Sequence, residues 1–64
     1  MTLDDLKPGD RLTGFRDWGC LPPRAVRTVR ACENGLFVKC THGRHFLDGQ
    51  MDDDGHLVNV ERAA

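Results

Sequence analysis

Five cysteine and histidine side chains that can bind a metal ion lie between residues 20 and 45: Cys20, Cys32, Cys40, His42 and His45. Zinc takes thiolate and imidazole ligands, and the stretch Cys40-x-His42-x-x-His45 places three such groups close together. The stretch lacks the Cys-x2-Cys pair with which zinc knuckles usually begin, and small cysteines are common in protein cores. We therefore expect structural cysteines and no cofactor. A zinc-stabilised module that uses Cys40, His42 and His45 is the lesser alternative.

The acidic segment 50–61 nearly matches a calcium-binding EF-hand loop. If Gln50 is position 1, oxygen ligands fall at positions 1, 3 and 5, glycine at 6 and Glu61 at 12. An EF-hand also needs a helix on each side, whereas residues 44–49 read as a strand followed by a turn. An acidic β-turn explains the same residues, so we expect no calcium site.

The segment Phe15–Arg24 holds the only tryptophan, two consecutive prolines and two arginines. An aromatic side chain beside cations can hold a peptide or stack on a base. The simpler interpretation is that Phe15 and Trp18 fill one end of a small core. The leading functional prediction is a non-enzymatic interaction module that binds a protein partner through this loop and the adjoining strand edges. The candidate binding residues are Phe15, Arg16, Trp18, Pro22, Pro23 and Arg24.

A basic set supports an alternative function, nucleic-acid binding. Its members are Arg24, Arg27, Arg30 and Lys39. A spacing of three residues alternates between the faces of a strand, so the arginines share one face only if the strand twists or bulges. Val26 and Val29 favour a bulge because both cannot point inward on a regular strand. A solvated basic face with no ligand accounts for the same residues.

The sequence gives little support for catalysis. Cys40 and His45 are the only nucleophile–base pair that the predicted strand register brings together, and they face the core. Burial in apolar surroundings disfavours ionisation of a thiol, and a domain of this size has little room for a substrate cleft. We therefore predict that the protein is not an enzyme.

Length and composition indicate one small globular domain over residues 1–64. The chain is 39% hydrophobic and 30% charged, which is ordinary for a globular protein, and its formal net charge of -1 provides no overall attraction to polyanions. Neither a membrane span nor a signal peptide is expected. An odd number of cysteines without an export signal suggests reduced thiols in the cytoplasm. We expect a monomer or a dimer paired through strand edges.

Glycine-centred turns divide the chain into short apolar runs, which predicts tight β-hairpins. Two-residue loops at Asn34-Gly35, His42-Gly43 and Asp54-Gly55 would place Arg30 opposite Lys39, Cys40 opposite His45 and Met51 opposite Val58. In the first hairpin the inner, apolar face would carry Val29, Ala31, Leu36, Val38 and Cys40, and the solvated face would carry Arg30, Cys32, Phe37 and Lys39. A capping box between Thr2 and Asp5 predicts one helical turn within Thr2–Lys7. Five strands follow from this pattern: Arg11–Phe15, Ala25–Cys32, Leu36–Thr41, Arg44–Met51 and His56–Glu61.

The opening Leu6-Lys7-Pro8-Gly9-Asp10-Arg11-Leu12 resembles the entry into the first strand of SH3-like small barrels, a superfamily that includes ribosome- and transcription-associated KOW modules. A long loop followed by tightly turned strands is similar to the same topology. The resemblance implies an all-β fold, a five-stranded antiparallel SH3-like barrel with tight hairpins, whose long loop lines a ligand groove. In its short, compact form the chain is also similar to small bacterial or phage-encoded proteins.

Overall fold

A computed structural model of the chain describes residues 1–63, and this part of the chain is all-β. Its six strands form two three-stranded antiparallel sheets, in the orders β2-β1-β6 and β3-β4-β5. Two short 3-10 helices cover Leu3–Asp5 and Leu47–Gln50. The strands are β1 (Arg11–Thr13), β2 (Arg27–Thr28), β3 (Arg30–Cys32), β4 (Gly35–Cys40), β5 (Gly43–Phe46) and β6 (Glu61–Arg62).

The predicted five-stranded closed barrel is not confirmed, because residues 1–63 form two separate sheets. The predicted strand Ala25–Cys32 is divided at Val29, where the sequence favours a bulge. The backbone of Val29 pairs with the segment before β1 instead, since its N–H donates to the Asp10 carbonyl at 2.7 Å and its carbonyl accepts from Gly9 at 2.9 Å. The predicted strand Arg44–Met51 ends at Phe46 and continues as a 3-10 turn.

Both central hairpins are shifted by two residues from the predicted register. Ala31 pairs with Leu36 and Val38 pairs with His45, so the loops are Glu33-Asn34 and Thr41-His42. Arg30 is therefore not opposite Lys39, and Cys40 is not opposite His45. Because side chains alternate with a period of two, this shift leaves every residue on its predicted face of the sheet.

The third predicted hairpin differs by one residue, which exchanges the two faces. Met51 pairs with Leu57 rather than with Val58, and Leu57 is buried while Val58 is only partly covered. The carboxylate of Asp52 sets this geometry, since its Oδ1 accepts the backbone N–H groups of Asp54 and His56, each at 2.9 Å. These hydrogen bonds form an Asx-type turn that needs no bound cation.

The core lies between the two sheets and the long loop of residues 14–26. Its fully buried side chains come from five different parts of the chain, namely Leu12, Phe15, Val29, Val38 and Leu47. Trp18 and Leu21 pack into the same cluster, so the long loop contributes to the core as much as any strand does.

The predicted N-terminal turn is present, and two carboxylates tie it to the rest of the fold. Asp5 accepts the Thr2 N–H at 2.9 Å, as a capping box requires. Asp10 accepts the Lys7 N–H at 3.0 Å and forms an ion pair with Arg62 at 3.1 Å. Arg62 also donates to the carbonyl of Asp5, so the two ends of the described chain are joined.

Stability is expected to fall as the pH is lowered through the folded-state pKa of Asp10. The Lys7 N–H and then Arg62 hold the pKa of this carboxyl below its ordinary value of 3.8. A lowered folded-state pKa stabilises the fold above the unfolded pKa, and this contribution disappears in acid. In urea unfolding between pH 7 and pH 2, the stability gap between wild type and Asp10→Asn should close below about pH 4. Asp53→Asn is the matched control, and an equal closing gap in that variant would contradict the assignment.

Candidate metal centre

Cys20, Cys40 and His45 converge at one end of the sheet β3-β4-β5. One ligand atom from each residue lies within 4.8 Å of the others, and all three side chains are partly buried. The shortest separation joins the Cys20 Sγ to the His45 Nδ1, at 2.9 Å. Two sulfur atoms and an imidazole nitrogen are a ligand set typical of zinc.

The strands position two of the three ligands. Cys40 ends β4 and pairs with Gly43, while His45 pairs with Val38 two positions further along β5. The side chains of Cys40 and His45 are therefore diagonal neighbours on the inner face, within reach of one another. Cys20 comes from the long loop, which is attached to the hairpin because the Thr41 Oγ1 donates to the Cys20 carbonyl at 3.3 Å.

The imidazole of His45 is held from two further sides. Its Nε2 lies 3.0 Å from the side-chain amide of Gln50. The ring of Trp18 packs against it with 4.7 Å between ring centroids. In the orientation shown, the amide nitrogen of Gln50 donates to Nε2, which places the ring proton on Nδ1. A flip of the amide would present its oxygen instead, place the proton on Nε2 and turn the Nδ1 lone pair toward Cys20. A protein acceptor on the far nitrogen is the usual support of a metal-bound histidine.

Metal binding at this centre requires the thiols to lose their protons. Burial, followed by the neighbouring Cys40, raises the pKa of the Cys20 thiol above its ordinary value of 9.0. Without a cation the Cys20 thiol therefore stays protonated and weakly nucleophilic. A bound metal ion reverses this balance, because a coordinating thiol is deprotonated outright. The His42 backbone N–H, 3.4 Å from the Cys40 Sγ, is placed to stabilise such a thiolate.

The structure changes the membership of the metal-ligating set inferred from the sequence. Cys40 and His45 come together as that set requires, but the side chain of His42 is exposed in the turn and is not part of the cluster. Cys20 takes the third place. The residues around Cys20 form no metal-binding motif that would relate it to residues 40–45. The one sequence signal for Cys20 as a ligand is its position in a long loop that could fold back on the sheet.

The long loop buries both of its aromatic side chains. Phe15 is 1% exposed and Trp18 is 6% exposed, and their rings meet edge to face with centroids 4.9 Å apart. The Trp18 Nε1 also donates to the Val58 carbonyl at 3.2 Å. Both residues therefore fill the core. The exposed residues of the predicted binding set are Arg16, Pro22, Pro23 and Arg24, and a protein partner at this loop stays a prediction.

The four predicted nucleic-acid-binding residues are spread over several elements. Arg24 is exposed in the long loop, while Arg27 is partly buried on β2 and donates to the Lys39 carbonyl at 3.2 Å. Arg30 and Lys39 lie on the outer face of the sheet β3-β4-β5. There Arg30 pairs with Phe37, and Lys39 pairs with Arg44, a residue outside the predicted set.

No protein-family model, curated protein or solved structure matches this chain. Among residues 1–63, neither short helix has the length or apolar character needed to cross a membrane.

Proposed function

We propose that the protein is a small zinc-binding β module whose metal centre consists of Cys20, Cys40 and His45. The observation that carries the proposal is the meeting of three ligand atoms within 4.8 Å, contributed by the long loop and both strands of a hairpin. A chain of 64 residues is close to the size at which a hydrophobic core alone gives marginal stability. A metal ion at this point would join the loop to the sheet.

Distance and charge both suit zinc. In a tetrahedral centre with sulfur and nitrogen ligands, ligand atoms are about 3.3–3.8 Å apart. The cluster reaches this geometry by side-chain movements of roughly 1 Å, since its atoms already lie within 4.8 Å. Two thiolates with a neutral imidazole balance the double charge of Zn²⁺, which suits a partly buried site. The fourth position would be open to water.

Metal titration with matched histidine variants tests this proposal. Reduced wild-type protein should bind one Co²⁺ per chain with the intense visible absorption of thiolate ligation, and one equivalent of Zn²⁺ should displace it. His45→Asn should weaken binding by at least about tenfold, since the loss of a group that merely supports a ligand already costs about 10–100-fold. His42→Asn, which changes an exposed histidine three residues away, should bind as wild type does. Equal losses in both variants, or no thiolate absorption in wild type, would contradict the proposed site.

We also propose that the two sheets belong to the SH3-like small-barrel architecture. Three features support this assignment: the Leu6–Leu12 opening, the long loop that follows β1, and the pairing of the last strand, β6, with the first. In SH3-like barrels the long loop often lines the ligand groove. A metal ion on Cys20 would fix this loop at its centre.

A further inference from the structure

We infer that the outer face of the sheet β3-β4-β5 is a binding surface for single-stranded nucleic acid. The face combines an exposed cation on each strand with two neighbouring phenylalanine rings. Its residues are Arg30, Phe37, Lys39, Arg44 and Phe46. This inference goes beyond the metal centre, which lies on the opposite face, and does not depend on zinc.

Unbalanced positive charge is the first argument. Lys39 and Arg44 face each other directly across β4 and β5, an arrangement that destabilises a sheet unless an anion lies between the charges. Arg30 is exposed on the neighbouring strand. Within residues 1–63 none of these three cations forms an ion pair with a carboxylate, since the single ion pair joins Arg62 to Asp10. A ligand with regularly spaced negative charges complements such a face.

The aromatic pair is the second argument, and it distinguishes nucleic acid from other polyanions. Phe37 and Phe46 are cross-strand partners with ring centroids 5.6 Å apart. The guanidinium of Arg44 lies over the Phe37 ring, 4.9 Å from its centroid. Phe46 keeps part of its surface open to solvent. Phe37 itself is 5% exposed, so the stacking surfaces open to solvent are the ring of Phe46 and the guanidinium plane of Arg44. Bases stack on phenylalanine rings and on arginine planes, while the phosphates of the same strand contact neighbouring cations.

The shape of this face favours a single strand over a duplex. The three strands have short hairpin turns, and no helix or long ribbon projects from this sheet within residues 1–63 to enter a groove. A sheet whose aromatic side chains lie between basic ones can instead bind splayed bases on its surface.

Fluorescence anisotropy with labelled 12-nucleotide single-stranded RNA and DNA of mixed sequence tests the inference on the reduced protein, both with and without added Zn²⁺. Binding should appear at low salt, with log K falling against log salt with a slope of roughly -2 for three phosphate contacts. Lys39→Gln and Arg44→Gln should each reduce the magnitude of that slope by about 0.7. Phe46→Leu should weaken binding about fivefold or more and leave the slope unchanged.

Arg11→Gln is the matched control, because Arg11 is an exposed arginine on a strand of the other sheet. Its slope should equal that of wild type. No binding at low salt would overturn the inference, as would wild-type affinity in both cation variants or tighter binding to duplex than to single strands. Equal affinity for dextran sulfate would also overturn it, since that polyanion has no bases. Unchanged circular dichroism and zinc content in every variant would separate these outcomes from a failure of the metal centre.

Discussion

Trp18→Ala is expected to unfold most of the protein at 25 °C. The side chain is 6% exposed and contacts Phe15 and His45, and its Nε1 donates to the Val58 carbonyl. Truncating a buried tryptophan costs about 3–5 kcal/mol. A hydrophobic core in a protein of this size commonly supplies no more than about 3–5 kcal/mol of net stability. The single substitution therefore removes a free energy comparable to the whole stability of the fold.

Urea unfolding of metal-free protein, followed by circular dichroism, measures this effect without a contribution from the metal centre. Trp18→Phe should cost less than Trp18→Ala, because phenylalanine keeps an aromatic ring in the core. It should still cost about 1–3 kcal/mol, because the Val58 carbonyl loses its hydrogen-bond donor. Val26→Ala is the control: Val26 is 38% exposed, and its truncation should change stability by no more than about 0.5 kcal/mol. If Trp18→Ala kept the wild-type midpoint, Trp18 would be free to bind a partner, as the leading sequence prediction proposed.

Saturating Zn²⁺ is expected to raise the thermal midpoint of the reduced protein by roughly 15 °C or more. A ligand that binds only the folded state adds about 4 kcal/mol when its free concentration is a thousand times its Kd. In a domain of this size each kcal/mol moves the midpoint by roughly 4–8 °C. The effect is large because zinc binds the folded state alone. In the unfolded chain Cys20 and Cys40 are separated by many residues and do not form a site.

Two cysteine variants locate this effect on the molecule. Cys40→Ser should lose most of the zinc-induced shift, and Cys32→Ser should retain it. Both cysteines are partly buried, but only Cys40 belongs to the cluster. Calorimetry with a reductant, with zinc and then with a chelator, gives the comparison. If Cys32→Ser also lost the zinc-induced shift, the metal would bind elsewhere. If wild type showed no shift, zinc binding to the folded protein would be excluded.

Local sequence patterns predicted the sheet better than they predicted the turns. The Asn34-Gly35 and His42-Gly43 loops were each misplaced, yet Leu36, Val38 and Cys40 lie on the predicted inner face, because a two-residue shift preserves side-chain alternation. At the third turn the shift was one residue, so the prediction for Val58 failed. There the Asp52 carboxylate bonds to two backbone N–H groups and defines a turn that hydrophobic alternation does not encode.

The Phe37 ring shows a similar limit. The sequence placed it on a solvated face, yet it is 5% exposed. Its cover comes from Phe46 and the guanidinium of Arg44, which reach it across a strand pairing that the predicted register did not contain. The predicted register paired the wrong residues across the strands, so it did not bring Phe37, Phe46 and Arg44 together. The residues of each strand were nevertheless assigned to the correct face.

The metal-ligating residues also differ in whether local sequence or tertiary folding determines their position. From the sequence alone, Cys40 and His45 could be placed on one face, because the alternation along neighbouring strands is a local property. The third ligand depended on how the long loop folds, and that path is set by burial of Phe15, Trp18 and Leu21 against residues far away in the chain. Hydrophobic burial is non-directional. The sequence therefore predicts that these side chains are buried, but not which residues they pack against. The tertiary structure alone brings Cys20 to His45, 25 residues away, and excludes the His42 side chain.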